Sequence, residues 1–201
     1  MIGTSGNTSE RVAAFTASGR TLPDLMYSID AGNVRLEPQR FMGLWSELVH
    51  VVRNAVDHGL ETPDERRAAG KPPRPRLRFR ARADAEHLII ELEDDGRGIS
   101  WDAVRRAAAA GGLPSATPED LTRALLAPGI TTRGEVTTTS GRGMGLAAVR
   151  ERVESLGGRI TVTSTLGQGT RFELRLPLAP VPADGSLPVP ALKRPHRSVE
   201  M

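Results

Sequence analysis

Residues 76–99, RLRFRARADAEHLIIELEDDGRGI, decide the fold. Arg76, Arg78, Arg80 and Arg82 alternate with Leu77, Phe79 and Ala81, and Arg74 extends the series upstream. Strand side chains alternate between faces, so this pattern predicts a strand over about 76–83 with an apolar inner face and an arginine outer face. HLIIELED, about 87–94, predicts a second strand with Leu88, Ile90 and Leu92 inward, and with Glu91 and Glu93 placed to pair with the arginines across the ladder. DDGRGI then turns the chain. Gly96 and Gly98 permit a tight turn with positive φ and close approach of a ligand. Asp94 stands at the strand end, where a carboxylate can accept a hydrogen bond from an exocyclic amine such as adenine's. An ordinary Asp-Gly turn is the alternative that these residues alone leave open.

Upstream lies a helix of about 38–59, with Pro38 suited to its first position and Gly59 to its stop. At about 100° per residue, Phe41, Leu44, Trp45, Leu48, Val52, Ala55 and Val56 share one arc. Glu47, His50, Arg53, Asn54, Asp57 and His58 share the opposite one. His50 and Asn54 are one turn apart, so their side chains lie side by side. An imidazole beside an amide can hold a cation and orient a proton transfer; a plain solvated face is the alternative. A short extended piece (25–36) precedes this helix, and a Pro/Arg loop (61–75) succeeds it.

Downstream, helices are expected at about 101–110 and 118–127. APGITTRGEVTTTSGRGMG (127–145) reads as a long mobile loop, and a helix of about 144–156 ends at Gly157-Gly158. RITVTS and TRFELRLPL, joined by a turn around Gly167 and Gly169, form a hairpin. Strands in pairs with helices between the pairs predict an α+β two-layer sandwich rather than a doubly wound parallel sheet. SGRGMGL (140–146) sits where the loop meets a helix. Its alternating glycines leave backbone N–H groups unscreened, and the helix N-terminus adds partial positive charge, which suits phosphates. It is not a P-loop, since no Lys-Ser/Thr comes after the glycines; a flexible hinge is the alternative.

Composition bounds the rest. The chain has 201 residues, 38% hydrophobic and 25% charged, which suits one soluble domain with tails. Residues 1–20 lack a clear period and are expected to be loosely ordered, the domain is expected over 21–178, and the Pro-rich 179–201 reads as a tail. The chain lacks cysteine, a signal-like N-terminus and an apolar run long enough to span a membrane. These features point to a cytoplasmic protein. Net charge is only +3 and aromatic residues are 3%, so no nucleic-acid partner is expected.

The order of these motifs resembles the ATP-binding domain of the GHKL superfamily, shared by DNA gyrase, Hsp90, histidine kinases and MutL. VHVVRNAVDHGLETPDERRAAGK, ELEDDGRGI, APGITT, SGRGMGLAAV and GQGTRFELRLPL most resemble the kinase domain of chemotaxis-type, CheA-like histidine kinases, over about 34–178. The resemblance implies a Bergerat-type sandwich, a mixed sheet covered on one face by helices, with a mobile ATP lid. It implies ATP and Mg²⁺ as cofactors, with Asn54 as metal ligand and His50, where many superfamily members carry a Glu general base, as the catalytic residue that orients or deprotonates near the γ-phosphate. Arg53 and His58 become phosphate contacts, and Asp94 the adenine-binding carboxylate, with Gly96 and Gly98 shaping its pocket. Ser140, Gly141, Arg142, Gly143, Met144, Gly145 and Leu146 match the glycine box that holds the phosphates, and Thr170 a threonine near adenine.

Two departures stand out. Leu126 and Ile130 occupy places that usually carry phenylalanine at the lid entrance. Ala103 and Ala107 occupy places that often carry phosphate-directed lysines, with Arg105 and Arg106 as substitutes. No phosphoacceptor domain or dimerising hairpin is expected within these residues. The implied function is therefore a protein histidine kinase acting in trans on a phosphotransfer protein or other phosphoacceptor, in two-component signalling. A non-catalytic nucleotide-sensing module and an anti-sigma-type serine kinase are the alternatives; the latter would be expected to carry Glu in place of His50.

Overall fold

The computed structural model describes residues 8–15, 21–30, 38–130 and 145–178. In chain order these form β1 (Thr8–Phe15), β2 (Thr21–Asp30), α1 (Pro38–Asn54), a π-helical turn (Ala55–Gly59), α2 (Pro63–Ala68), β3 (Arg76–Ala83), β4 (His87–Asp94), α3 (Trp101–Ala110), α4 (Pro118–Leu125), α5 (Gly145–Ser155), β5 (Arg159–Thr165) and β6 (Gly169–Pro177). The strands make one six-stranded sheet in the order β1-β2-β3-β4-β6-β5. β2 and β3 pair in parallel and every other neighbouring pair is antiparallel, so the sheet is mixed.

The alternation expected of β3 and β4 sorts the two faces. Leu88, Ile90 and Leu92 of β4 and Phe172, Leu174 and Leu176 of β6 join Leu44, Leu48 and Val51 of α1 and Val149 and Val153 of α5 in one core. The opposite face carries a charge lattice. Arg78 stands opposite Glu93 and Arg80 opposite Glu91, with ion-pair distances of 3.8 Å and 4.0 Å. Arg82 and Arg171 also donate to Glu91, at 3.0 Å and 2.5 Å. Like charges directly opposed would destabilise a ladder; the β3–β4 register opposes unlike ones.

Three details differ from the sequence reading. Thr8–Phe15, inside a stretch with no readable period, pairs antiparallel with β2 as an edge strand. Within α1 and its terminal turn the most buried positions are Phe41, Leu44, Leu48, Val51 and Ala55, so the apolar arc centres on Val51 and not on Val52. Trp45, at the rim of that arc, is 38% exposed and rests against Phe79, with ring centroids 6.5 Å apart.

The third difference is Asp57, expected on the polar arc but buried. Leu60 donates its N–H to the Ala55 carbonyl at 2.8 Å, five residues back, closing a wide turn. One extra residue per turn rotates the succeeding positions by about 100°, which carries Asp57 inward.

Candidate functional site

Asp94 is the last residue of β4 and is 5% exposed. Its carboxylate Oδ1 accepts the Gly96 N–H at 2.9 Å. Burial raises its pKa from 3.8 to about 6; the backbone N–H groups of Gly96 and Thr170 pull the other way, and nearby Asp95 and Glu61 add a smaller upward push. At neutral pH the group is thus a desolvated, ionised acceptor, a state that gains from one further donor.

Three backbone segments converge near this carboxylate, and a side chain at Gly96 or Gly98 would collide where they meet. Gly59 closes the π-turn; a Cβ there would lie 3.6 Å from Asp94 Oδ1. A Cβ on Gly96 would stand 2.2 Å from the Gly59 carbonyl oxygen, and Arg97 donates its N–H to that same oxygen at 2.8 Å. Gly98 has φ +71°, and a Cβ there would stand 2.2 Å from the Thr165 carbonyl oxygen in the β5–β6 hairpin. So Gly59 is more than a helix stop: its carbonyl, approached closely by the bare Gly96 and bonded by the Arg97 N–H, docks the end of α1 against the Asp94 turn.

Thr170 faces Asp94 across the β4–β6 ladder and is buried. Its hydroxyl lies 3.2 Å from Ser164 Oγ, which accepts the Ile99 N–H at 2.8 Å and donates to the Gly169 carbonyl at 2.8 Å. Ser164 therefore ties the hairpin to the turn after Asp94. The Trp101 indole N–H adds a second tie, to the Ser164 carbonyl at 3.1 Å.

His50 is exposed on α1, its Nε2 3.8 Å from Glu47 Oε2. Asn54, one turn on, is half-buried and ends α1; Arg53 and His58 are exposed. The structure thus gathers Asp94, Gly96, Gly98 and Thr170 with Gly59. It carries His50, Arg53, Asn54 and His58 on the helix whose terminal turn docks there. Of the glycine box, Gly145 opens α5 and Leu146 is its second residue; Ser140, Gly141, Arg142, Gly143 and Met144, with the rest of the expected loop from 131 onward, lie outside the described residues. Arg105, one of the expected lysine substitutes, pairs with Asp102 at 2.9 Å on the surface of α3.

One cluster escaped the sequence reading. Arg66, fully buried, donates through Nη1 and Nη2 to both carboxylate oxygens of Asp95 (3.1 and 2.8 Å), to Glu61 Oε2 (3.2 Å) and to the Asp95 carbonyl (3.2 Å). Its Nε–H goes to the Pro72 carbonyl at 2.6 Å. Lys71 donates to Glu61 Oε1 at 2.6 Å and to the carbonyls of Asp95 and Gly96 at 3.0 and 2.7 Å. Charged residues in a Pro-rich stretch read as a solvated loop. The available signal was the capping pair Thr62 and Glu65, which starts a short helix there and turns Arg66 inward.

A sandwich of this architecture, with a buried carboxylate at a strand end, has known relatives. The family described as "Histidine kinase-, DNA gyrase B-, and HSP90-like ATPase" matches residues 43–180, and the chain belongs to it. It is 44% identical over 136 residues to the "Gliding motility regulatory protein" of Myxococcus xanthus, a match covering 65% of this chain and 18% of that protein. It is 41% identical over 142 residues to the "Chemotaxis protein CheA" of Rhizobium meliloti (strain 1021), covering 69% of this chain and 19% of the relative. Among solved structures, a histidine kinase domain from Erythrobacter litoralis EL346 blue-light activated histidine kinase aligns with TM-score 0.45 and 21% identity, over 75% of this chain and 50% of that one. The chain thus spans less than a fifth of the two curated relatives. Among the described residues, no helix is long and apolar enough to cross a membrane.

Proposed function

We propose that this chain is a Mg·ATP-dependent kinase domain that phosphorylates a histidine on a separate protein. The observation that carries the reading is the Asp94 carboxylate, buried at a strand end and held by the backbone N–H groups of Gly96 and Thr170. Such a group suits the amine of adenine, which donates, and disfavours a base with a carbonyl oxygen in that place. Thr170, next to Asp94 across the ladder, adds a hydroxyl to the same pocket wall.

Among the described residues no group of three or more His, Asp or Glu could hold a metal. That fits Mg²⁺ bound with a nucleotide, an ion that takes one or two protein oxygens and fills its octahedron with phosphate and water. Asn54 would supply the protein oxygen. When bound, the ion neutralises charge on the transferred phosphoryl group.

The chain's own residues do the positioning. Asp94 fixes the base; Arg53, His58 and the backbone N–H groups of residues 140–146 hold the phosphates. In the transfer, the bond from the γ-phosphorus to the β–γ bridging oxygen breaks and one to the acceptor's ring nitrogen forms. His50 takes the proton that the acceptor ring sheds. The test is incubation with γ-labelled ATP and purified histidine-phosphotransfer proteins. Label on the partner, lost in His50→Ala, supports the kinase. Saturable binding of Mg·ATP with no label on any partner overturns it in favour of a nucleotide-sensing module.

A further inference from the structure

The Glu61–Arg66–Lys71–Asp95 cluster bears on one peptide unit. The Asp95–Gly96 peptide presents its carbonyl to Arg66 and Lys71, at 3.2 and 3.0 Å. The N–H of the same unit donates to Asp94 Oδ1 at 2.9 Å. Lys71 grips the next carbonyl as well, that of Gly96, at 2.7 Å. Asp95, whose backbone joins the two halves, is pinned through its carboxylate by Arg66 and by the Arg76 N–H at 2.9 Å.

From this geometry we propose that Lys71 and Arg66 are positioning residues for base recognition, acting on Asp94 through the Asp95–Gly96 peptide. The proposal rests on the reading of Asp94 as the adenine acceptor. Two cations at the carbonyl end fix the tilt of the peptide plane and polarise it, which strengthens the N–H at its other end as a donor. That N–H occupies Oδ1 and so sets the direction in which the carboxylate accepts from a base. Glu61 makes the arrangement tolerable: its two oxygens take one cation each, at 3.2 Å from Arg66 Nη1 and 2.6 Å from Lys71 Nζ, so neither charge is buried alone. Lys71 is the part to perturb, because its side chain is 15% exposed whereas that of Arg66 is fully enclosed.

The test separates positioning from mere stability by comparing ADP with IDP, which carries an oxygen where adenine has its amine. Affinities of both are measured calorimetrically in Mg²⁺ for the full chain, Lys71→Met and Lys71→Arg. A partly unfolded variant lowers the number of sites and leaves the ADP/IDP preference untouched; a misdirected Asp94 lowers the preference itself. The expected result is an ADP affinity about tenfold weaker in Lys71→Met with IDP within about twofold, and a preference restored in Lys71→Arg. Lys71→Gln, uncharged but still a donor, gives the same reading where Lys71→Met yields no folded protein. An unchanged preference in the variants overturns the positioning role while leaving Asp94 as the acceptor. Equal binding of ADP and IDP by the unsubstituted chain, or no binding, overturns the acceptor reading and this inference with it.

Discussion

Replacing Asp94 with Asn should make stability less sensitive to pH while removing base recognition. The carboxylate titrates near 3.8 when unfolded and at about 6 in the fold, chiefly because burial penalises its charge. A folded pKa raised above the unfolded one means that the stabilising contribution is fully present below about 3.8 and is lost as pH rises through about 6. The rise from 3.8 to about 6 corresponds to about 3 kcal/mol, of which about 2 kcal/mol falls between pH 4.5 and 7.5. Asn cannot ionise, so that part of the loss disappears. Against this, the amide keeps one acceptor for the two N–H groups, which costs about 1–2 kcal/mol at every pH. Urea denaturation of both proteins across pH 4.5–7.5 should therefore show Asp94→Asn gaining about 2 kcal/mol on the unsubstituted chain as pH rises, and ending near or above it. A difference independent of pH would refute the assignment of a raised pKa to burial of this carboxylate.

The same contacts set the outcome of other substitutions. Gly96→Ala should destabilise the fold by about 3 kcal/mol or more, seen as a lower urea midpoint, because its Cβ would stand 2.2 Å from the Gly59 backbone oxygen. Arg66→Ala should lower the unfolding free energy by about 3 kcal/mol, since it removes the fully buried cation between Asp95 and Glu61, leaving Asp95 without its partner and Glu61 with Lys71 alone. His50→Ala should bind Mg·ATP with affinity close to that of the unsubstituted chain, as expected of an exposed residue. In a single-turnover assay it should transfer phosphate at least about a hundredfold more slowly.

Local periodicity accounts for what was legible in the sequence. β3, β4 and α3 have the bounds predicted for them, because the Arg/Leu/Phe alternation and the turn at DDGRGI are local signals. The apolar arc of α1 was readable to within one position, Val51 against Val52. The burial of Asp57 was not, since a helical wheel assumes one period and the π-turn breaks it. β1 was invisible because TSERVAAF has no strict alternation and its apolar run is only the four residues VAAF, half of them alanine; pairing with β2 makes it a strand. In the site, Asp94 announced itself by its place between a buried strand and two glycines. Its neighbour Asp95 did not, because its role depends on Arg66 and Lys71, which arrive from a segment that looks solvated until α2 folds.

Calorimetric titration with Mg·ATP, on the unsubstituted chain and on Asp94→Ala, tests the central claim most directly. The account predicts saturable one-to-one binding that Asp94→Ala abolishes while the variant stays folded. Binding that survives Asp94→Ala, or no binding to the unsubstituted chain, would contradict it.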